Sequence, residues 1–256
     1  MNRRGLIIVG LTMLLLVACG RKQQHQFVQD VLLPMTPVKN QGQTNTCWAY
    51  AMLATIETEH ILRGDSVNLS GKYIAHLEKR RAMCQTLLNL IQQHGIVGYD
   101  VMPDDTPANV KAPKWVFMLG ARYTPQEFAH SVCAPDEYLS LTCWPDSPYY
   151  KKVEVPVPDN WEHNRFLNLP IDTLRQHVDQ ALHHRHPVCW ESKGHAMEIV
   201  GLAHDAKHQT YYIMKNSWGL DQPHEGLVYM PVDQMWSDMI AVYMTQEAFA
   251  ICSVSK

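Results

Sequence analysis

Asn40-Gln41-Gly42-Gln43-Thr44-Asn45-Thr46-Cys47-Trp48 decides how this chain of 256 residues is read. A glutamine stands six residues ahead of a cysteine, and the cysteine sits where a polar loop gives way to an apolar helical pattern. Two later stretches answer it, Gly194-His195-Ala196-Met197 and Lys215-Asn216-Ser217-Trp218-Gly219. The histidine follows the cysteine by 148 residues, and the asparagine follows the histidine by 21. In that order they offer a nucleophile, a base and a group that orients the base.

Each residue type brings a defined chemistry. A thiol near neutral pH is mostly protonated, and only the thiolate attacks a carbonyl well. Cys47 at a helix start gains from the helix dipole, and an imidazolium beside it would lower its pKa further. His195 opens an apolar strand, which puts its ring at a lobe boundary, able to take the thiol proton and return it to a leaving amine. Asn216 ends the next strand, so its amide oxygen can accept the ring N–H and fix the tautomer. Trp218 would shield that bond, and Trp48 supports the nucleophile loop. Gln41 offers a side-chain amide that, with the Cys47 N–H, can form an oxyanion hole. The chemistry requires no cofactor, and no histidine run has zinc-motif spacing. His183, His184 and His186 read as a solvated helix end.

The pattern around these residues is α+β, two-lobed, with the active site in a cleft between the lobes. Helices are expected after Cys47 (Ala49, Met52, Leu53, Ile56, His60), after a Ser70 cap (Tyr73, Ile74, Leu77), and through Leu87, Leu88 and Ile91 to Gly95. Segments 103–113 and 145–158 hold seven prolines and read as loops, with a short helix opening at Thr124-Pro125 between them. A helix carrying Leu174, Val178, Ala181 and Leu182 precedes five strands. These strands are Val188–Glu191, Ala196–Ala203, Thr210–Asn216, Gly226–Pro231 and Met239–Thr245. They are expected to form an antiparallel sheet or barrel.

The N-terminus reads as an export signal over residues 1–18, with two arginines ahead of a short apolar run. Its end, Leu16-Val17-Ala18-Cys19, resembles the bacterial lipobox. That resemblance implies lipid on Cys19, anchoring to a membrane of the bacterial envelope, and a tether over 19–30 before a catalytic domain over 31–256. A net charge of −3 with 18% charged residues gives no reason to expect a nucleic-acid partner. Apart from Cys19 and Cys47 there are five cysteines, Cys84, Cys133, Cys143, Cys189 and Cys252, so at least one thiol stays free. Cys133 and Cys143 are the nearest candidates for a bridge, although sequence does not fix the pairing.

With these residues assembled, the chain resembles the papain superfamily of cysteine peptidases, whose Cys-to-His separation of ~130–150 residues it matches. Gly194-His195-Ala196-Met197, Asn68-Leu69-Ser70 with Tyr73, and His94-Gly95-Ile96-Val97 resemble the bleomycin hydrolase or aminopeptidase C branch. Pro37-Val38-Lys39-Asn40-Gln41-Gly42 is similar to papain itself. The resemblance implies Cys47 as nucleophile, His195 as base, Asn216 as orienter, Gln41 as oxyanion donor, and a peptide or protein substrate. Three departures stand out. Thr44 replaces a disulfide cysteine, the glycine wall of the cleft has no match around Met83-Cys84-Gln85-Thr86, and only Glu191, Ser192 and Lys193 separate the Cys189-Trp190 strand from Gly194, a shorter connection than in papain. The 27 residues between Cys19 and Cys47 leave no room for an inhibitory propeptide. The alternatives to a peptidase are an inactive binding protein of the same fold, or an amidase or acyl transferase using the same triad. Whether it acts inside a peptide or at its amino end stays open, with the tail Ala248 to Lys256 as a candidate to block one end of the cleft.

Overall fold

The computed structural model describes residues 27–118 and 120–254. The expected signal peptide and Cys19 lie outside them. In chain order the elements begin with β1 (Phe27–Leu32), α1 (Cys47–Leu62), α2 (Gly71–Leu77) and α3 (Cys84–His94). A small hairpin, β2 (Val116–Met118) and β3 (Ala121–Tyr123), is followed by α4 (Pro125–His130). Then come β4 (Tyr138–Thr142), β5 (Lys152–Glu154), β6 (Arg165–Asn168) and α5 (Ile171–His183). The C-terminal part holds β7 (Val188–Ser192), β8 (His195–Asp205), β9 (Thr210–Lys215), β10 (Leu227–Pro231), α6 (Val232–Asp238), β11 (Met239–Thr245) and α7 (Gln246–Val254).

Local chemistry accounts for the helix starts. Ser70 caps α2 by accepting from the Tyr73 N–H, and Thr124 with Glu127 forms a reciprocal capping box on α4. α1 has no side-chain cap, and its residues from Cys47 to His60 are all buried. A helix that is covered on every side owes its stability to packing rather than to an amphipathic stripe. It lies against β7 and β8, so one apolar cluster joins Trp48, Met52 and Ile56 to Cys189, Ala196 and Tyr243 of the sheet. A second cluster fills the sheet's other side under α5, through Leu174, Val178, Ala181 and Leu182.

The sheet runs β10-β9-β8-β7-β11-β4-β6-β5, with β1 added beside β8. All pairs are antiparallel except β4 with β6, so the sheet is mixed where a purely antiparallel one was expected. Of the three strands β4 to β6, β5 comes from a segment read as loop and the other two from stretches where no element was expected, and β1 takes residues 27–30 out of the expected tether. β8 is long enough to serve two partners on one edge, β7 along its first half and β1 along its second. At the change-over stands Gly201, where a Cβ would come within 2.1 Å of the Val31 carbonyl oxygen. Only glycine lets the strands approach this closely.

The tail helix α7 packs on α5, with the Phe249 ring stacked on His177 at 4.0 Å. Its described part is therefore held against the sheet lobe and does not serve as the cleft plug that the sequence suggested. Cys133 and Cys143 are free thiols, as are Cys47, Cys84 and Cys189. The Cys133–Cys143 bridge is not formed. No described helix is long and apolar enough to cross a membrane, and no group of His, Cys, Asp or Glu among the described residues could hold a metal ion.

Candidate active site

Hydrogen bonds join His195 to Asn216 and Gln41 to the neighbouring Ser217, and Cys47 adjoins them through the residue after His195. Cys47 is the first residue of α1, and its N–H belongs to the helix's open first turn. His195 opens β8 after the two-residue turn Lys193-Gly194, where Gly194 has φ +117°. Asn216 follows β9, the next strand across. The buried Cys47 thiol lies close to the backbone N–H of Ala196, the residue after His195, and to that of Trp48, both of which favour its ionised form. That contact puts the sulfur at the mouth of β8.

The histidine tautomer follows from the bonds around Asn216. Its Oδ1 accepts from the Ser217 backbone N–H at 2.8 Å, which identifies that atom as the carbonyl oxygen. The same oxygen lies 2.9 Å from His195 Nε2, so Nε2 must carry the proton. Nδ1 is left as the basic nitrogen. Trp218 lies beside the imidazole with ring centroids 5.1 Å apart, and about half of it remains exposed. Trp48 is fully enclosed beneath the loop.

Gln41 is oriented by similar logic. Its Nε2 donates to the Thr44 carbonyl at 2.6 Å, and its Oε1 accepts from the Ser217 hydroxyl at 2.6 Å. Among the described residues its second amide hydrogen has no hydrogen-bond partner. Gly42 turns that loop at φ +64°, its N–H bonded to Asn40 Oδ1. A backbone seam holds the two lobes together here. Gln41 N–H donates to Ser217 O at 2.9 Å and Gly219 N–H to Lys39 O at 3.0 Å.

Sequence reasoning missed Arg81. Its Nε donates to Asp159 Oδ2 at 2.5 Å, and its Nη1 donates to the carbonyl of Gly194, directly before His195. The guanidinium thus spans from the α2–α3 loop to the β7–β8 turn. Its charge also bears on both Cys47 and His195. Burial pushes the Cys47 thiol up, and the Arg81 charge opposes that shift. Burial holds the His195 imidazole down, where the Asn216 bond opposes it and Arg81 adds to it. The sequence led us to expect a thiol lowered by dipole and imidazolium; at these buried positions desolvation dominates, and both shifts favour the uncharged pair.

Below the site lies a second buried layer. Glu191 accepts from the Tyr243 hydroxyl at 2.6 Å and from the Cys84 N–H at 3.1 Å, and burial raises its carboxyl to about 7. The Cys84 and Cys189 sulfurs stand 3.5 Å apart beside it. Further along α1, Glu57 accepts from Thr36 at 2.5 Å and from Lys39, while Lys215 Nζ reaches Thr36 at 2.8 Å and Glu198 at 3.7 Å. Paired in this way, the charges of both lobes share one desolvated cluster.

Residues 162–247 match the model of the papain family cysteine protease, a stretch that contains His195 and Asn216 but not Cys47 or Gln41. The chain is 26% identical over 207 residues to ananain of Ananas comosus, covering 78% of this chain and 53% of that protein. It is 26% identical over 205 residues to mexicain of Jacaratia mexicana, covering 76% and 82%. The chain spans about half the length of several relatives it matches, ananain and two viral cathepsins among them. Among solved structures it is similar to PepW from Lactobacillus rhamnosis HN001, with a TM-score of 0.70 at 16% identity, covering 86% of this chain and 82% of that one. The digestive procathepsin L 3 of Tenebrio molitor superposes with a TM-score of 0.53 at 16% identity, covering 88% and 71%. The fold is papain-like, and its sheet lobe carries the papain-family match.

Proposed function

We propose that this chain is a cysteine peptidase that cleaves peptide bonds through a thioester on Cys47. The observation that carries the reading is the doubly bonded Asn216 oxygen, which leaves His195 Nδ1 basic while the thiol sits at the start of the same strand. The thiol proton passes to Nδ1 as sulfur bonds to the substrate carbonyl carbon. The free Gln41 amide hydrogen and the Cys47 N–H stabilise the oxyanion. The imidazolium then protonates the leaving amine as the C–N bond breaks. Water, deprotonated by the same nitrogen, releases the acyl group and restores the thiol.

An epoxysuccinyl inhibitor should label a single thiol, which peptide mapping should place at Cys47, and Cys47→Ala should lose both label and turnover. An unlabelled Cys47 with peptides left uncut would overturn the reading. Peptide bound but never cut would favour a binding protein of this fold, and transfer to an added amine would favour an acyl transferase. No metal enters these steps, so EDTA should leave the rate intact.

Two finer readings rest on sequence. The Gly194-His195-Ala196-Met197 and Asn68-Leu69-Ser70 motifs support placement near the bleomycin hydrolase or aminopeptidase C branch, which comparison of free and N-acetylated peptides tests. Leu16-Val17-Ala18-Cys19 supports a lipid anchor in a bacterial envelope. Detergent partitioning that survived Cys19→Ser would sink it.

A further inference from the structure

α2 and the loop leading to Cys47 enclose a groove of about 400 Å³ that the reaction above does not use. One wall is the loop 43–46, which runs directly into the nucleophile. The opposite wall is basic. Lys72, His76 and Lys79 recur at positions i, i+4 and i+7 and all line the groove. Ala75, Met102, Pro107 and Ala108 supply an apolar floor, and the Ser70 hydroxyl ties Met102 to the start of α2 through its carbonyl. No carboxylate lines the groove. Neither lysine has an ion-pair partner among the described residues, because nearby Glu78 is taken by Arg80.

The groove's place relative to the scissile bond follows from the proton transfer. His195 protonates the leaving amine, so the amine half of a substrate lies toward His195 and Trp218. The acyl half would then lie on the opposite side of Cys47, where residues 43–46 form a wall of the groove with α2. A rim of unpaired cations over an apolar floor suits a side chain with an aliphatic stem and an anionic end.

We propose that this groove is an acyl-side subsite that takes a glutamate-like side chain of the substrate, read by Lys72 and Lys79. The proposal rests on the peptidase reading and names its substrate class. Matched fluorogenic peptides carrying Glu, Gln or Lys at each of the three residues before the scissile bond would test it at low and high salt, with wild type and Lys72→Gln/Lys79→Gln. At one position Glu should exceed Gln in kcat/KM by roughly three- to tenfold, the range of two solvent-screened ion pairs. That ratio should shrink toward one in the double variant and in 0.5 M NaCl, because salt screens exposed charges. Equal rates for Glu and Gln in wild type, or a preference that survives the double variant, overturn the subsite. If no peptide is cut, the peptidase reading fails instead. Fluorescence anisotropy of the Glu and Gln peptides on Cys47→Ala, with and without the two lysines, then decides the groove on its own.

Discussion

The two ends of the cleft are closed by different means. At the Gln41 end, main chain meets main chain: Gln41 N–H to Ser217 O, Gly219 N–H to Lys39 O, and a bridge between Asn40 and Trp218. At the other end side chains make the span, with Arg81 bonded to Asp159 and to the Gly194 carbonyl and Glu191 accepting from the Cys84 N–H behind it. A backbone seam survives most substitutions, because every residue but proline carries the same donor and acceptor. A guanidinium clasp depends on one residue and carries a charge into the site as well. Chemistry at the first end can therefore be removed without disturbing its architecture, whereas at the second end geometry and electrostatics change together.

The largest effect should come from Gln41→Ala. The seam remains, since it uses the Gln41 backbone, and only the side-chain amide proposed as oxyanion donor is lost. Removing one such donor typically costs ~2.7–4 kcal/mol, or about 10²–10³ in kcat. KM should move little and the thermal midpoint should hold. A fall in thermal stability matching the loss in rate would mean that the Gln41 side-chain bonds to Thr44 and Ser217 build the seam and that the proposed oxyanion role is misplaced.

The same contrast explains what could be read from sequence. The α5 face from Leu174 to Leu182 and the strands from β7 onward follow spacing rules that act over a few residues, whereas the helix at Cys47, buried all round, showed itself as a run of apolar residues after a polar loop. The first end of the cleft was legible because Gln41, Cys47, Asn216 and Trp218 sit in two compact motifs. Arg81 was not, since its partners Asp159 and Gly194 are 78 and 113 residues away and no local pattern announces them. β1 was missed because its burial runs exposed through the middle, the mark of an edge strand held by β8 rather than by its own alternation. β4, β5 and β6 are three to five residues long and lie among prolines, so only their pairing with β11 and with each other makes them strands. The thiol shift escaped for a related reason: a helix start is visible in sequence, but burial is not.

An intermediate effect is expected from Arg81→Gln. The Arg81 cation lowers both the Cys47 thiol and the His195 imidazolium, so its removal raises both. In a kcat/KM profile the acid limb and the alkaline limb should then move together to higher pH, giving a bell that slides rather than narrows. Activity should fall on the acid side and hold or rise on the alkaline side. Salt should shrink the difference, because the Arg81 side chain is about a quarter exposed. Loss of amplitude with both limbs in place would show that the clasp only positions the Gly194 turn and that its charge does not reach the pair.

The smallest effect on turnover, and the sharpest test of the layer beneath the Arg81 end, should come from Glu191→Gln. Burial raises the Glu191 carboxyl to about 7 against an ordinary 4.5, with Tyr243, the Cys84 N–H and Arg81 opposing it. Below pH 4.5 the group is protonated both folded and unfolded and contributes nothing. Between 4.5 and 7 the native state holds more protons than the unfolded chain, so stability falls as pH rises, and the loss is complete above 7. Glutamine keeps an oxygen for Tyr243 and Cys84 but cannot ionise. The variant should therefore gain on wild type through that window, most above pH 7, as read by thermal melts at matched buffers. Part of the slope should remain, because Glu198 is also raised to about 7 by burial. The ionised Glu191 carboxylate holds the Cys47 thiol up, so the acid limb of the rate profile should move to lower pH, opposite to the shift from Arg81→Gln. Melting curves of variant and wild type that run parallel from pH 4.5 to 8 would mean that Glu191 does not titrate in this window, and the opposed pair of limb shifts would lose its basis.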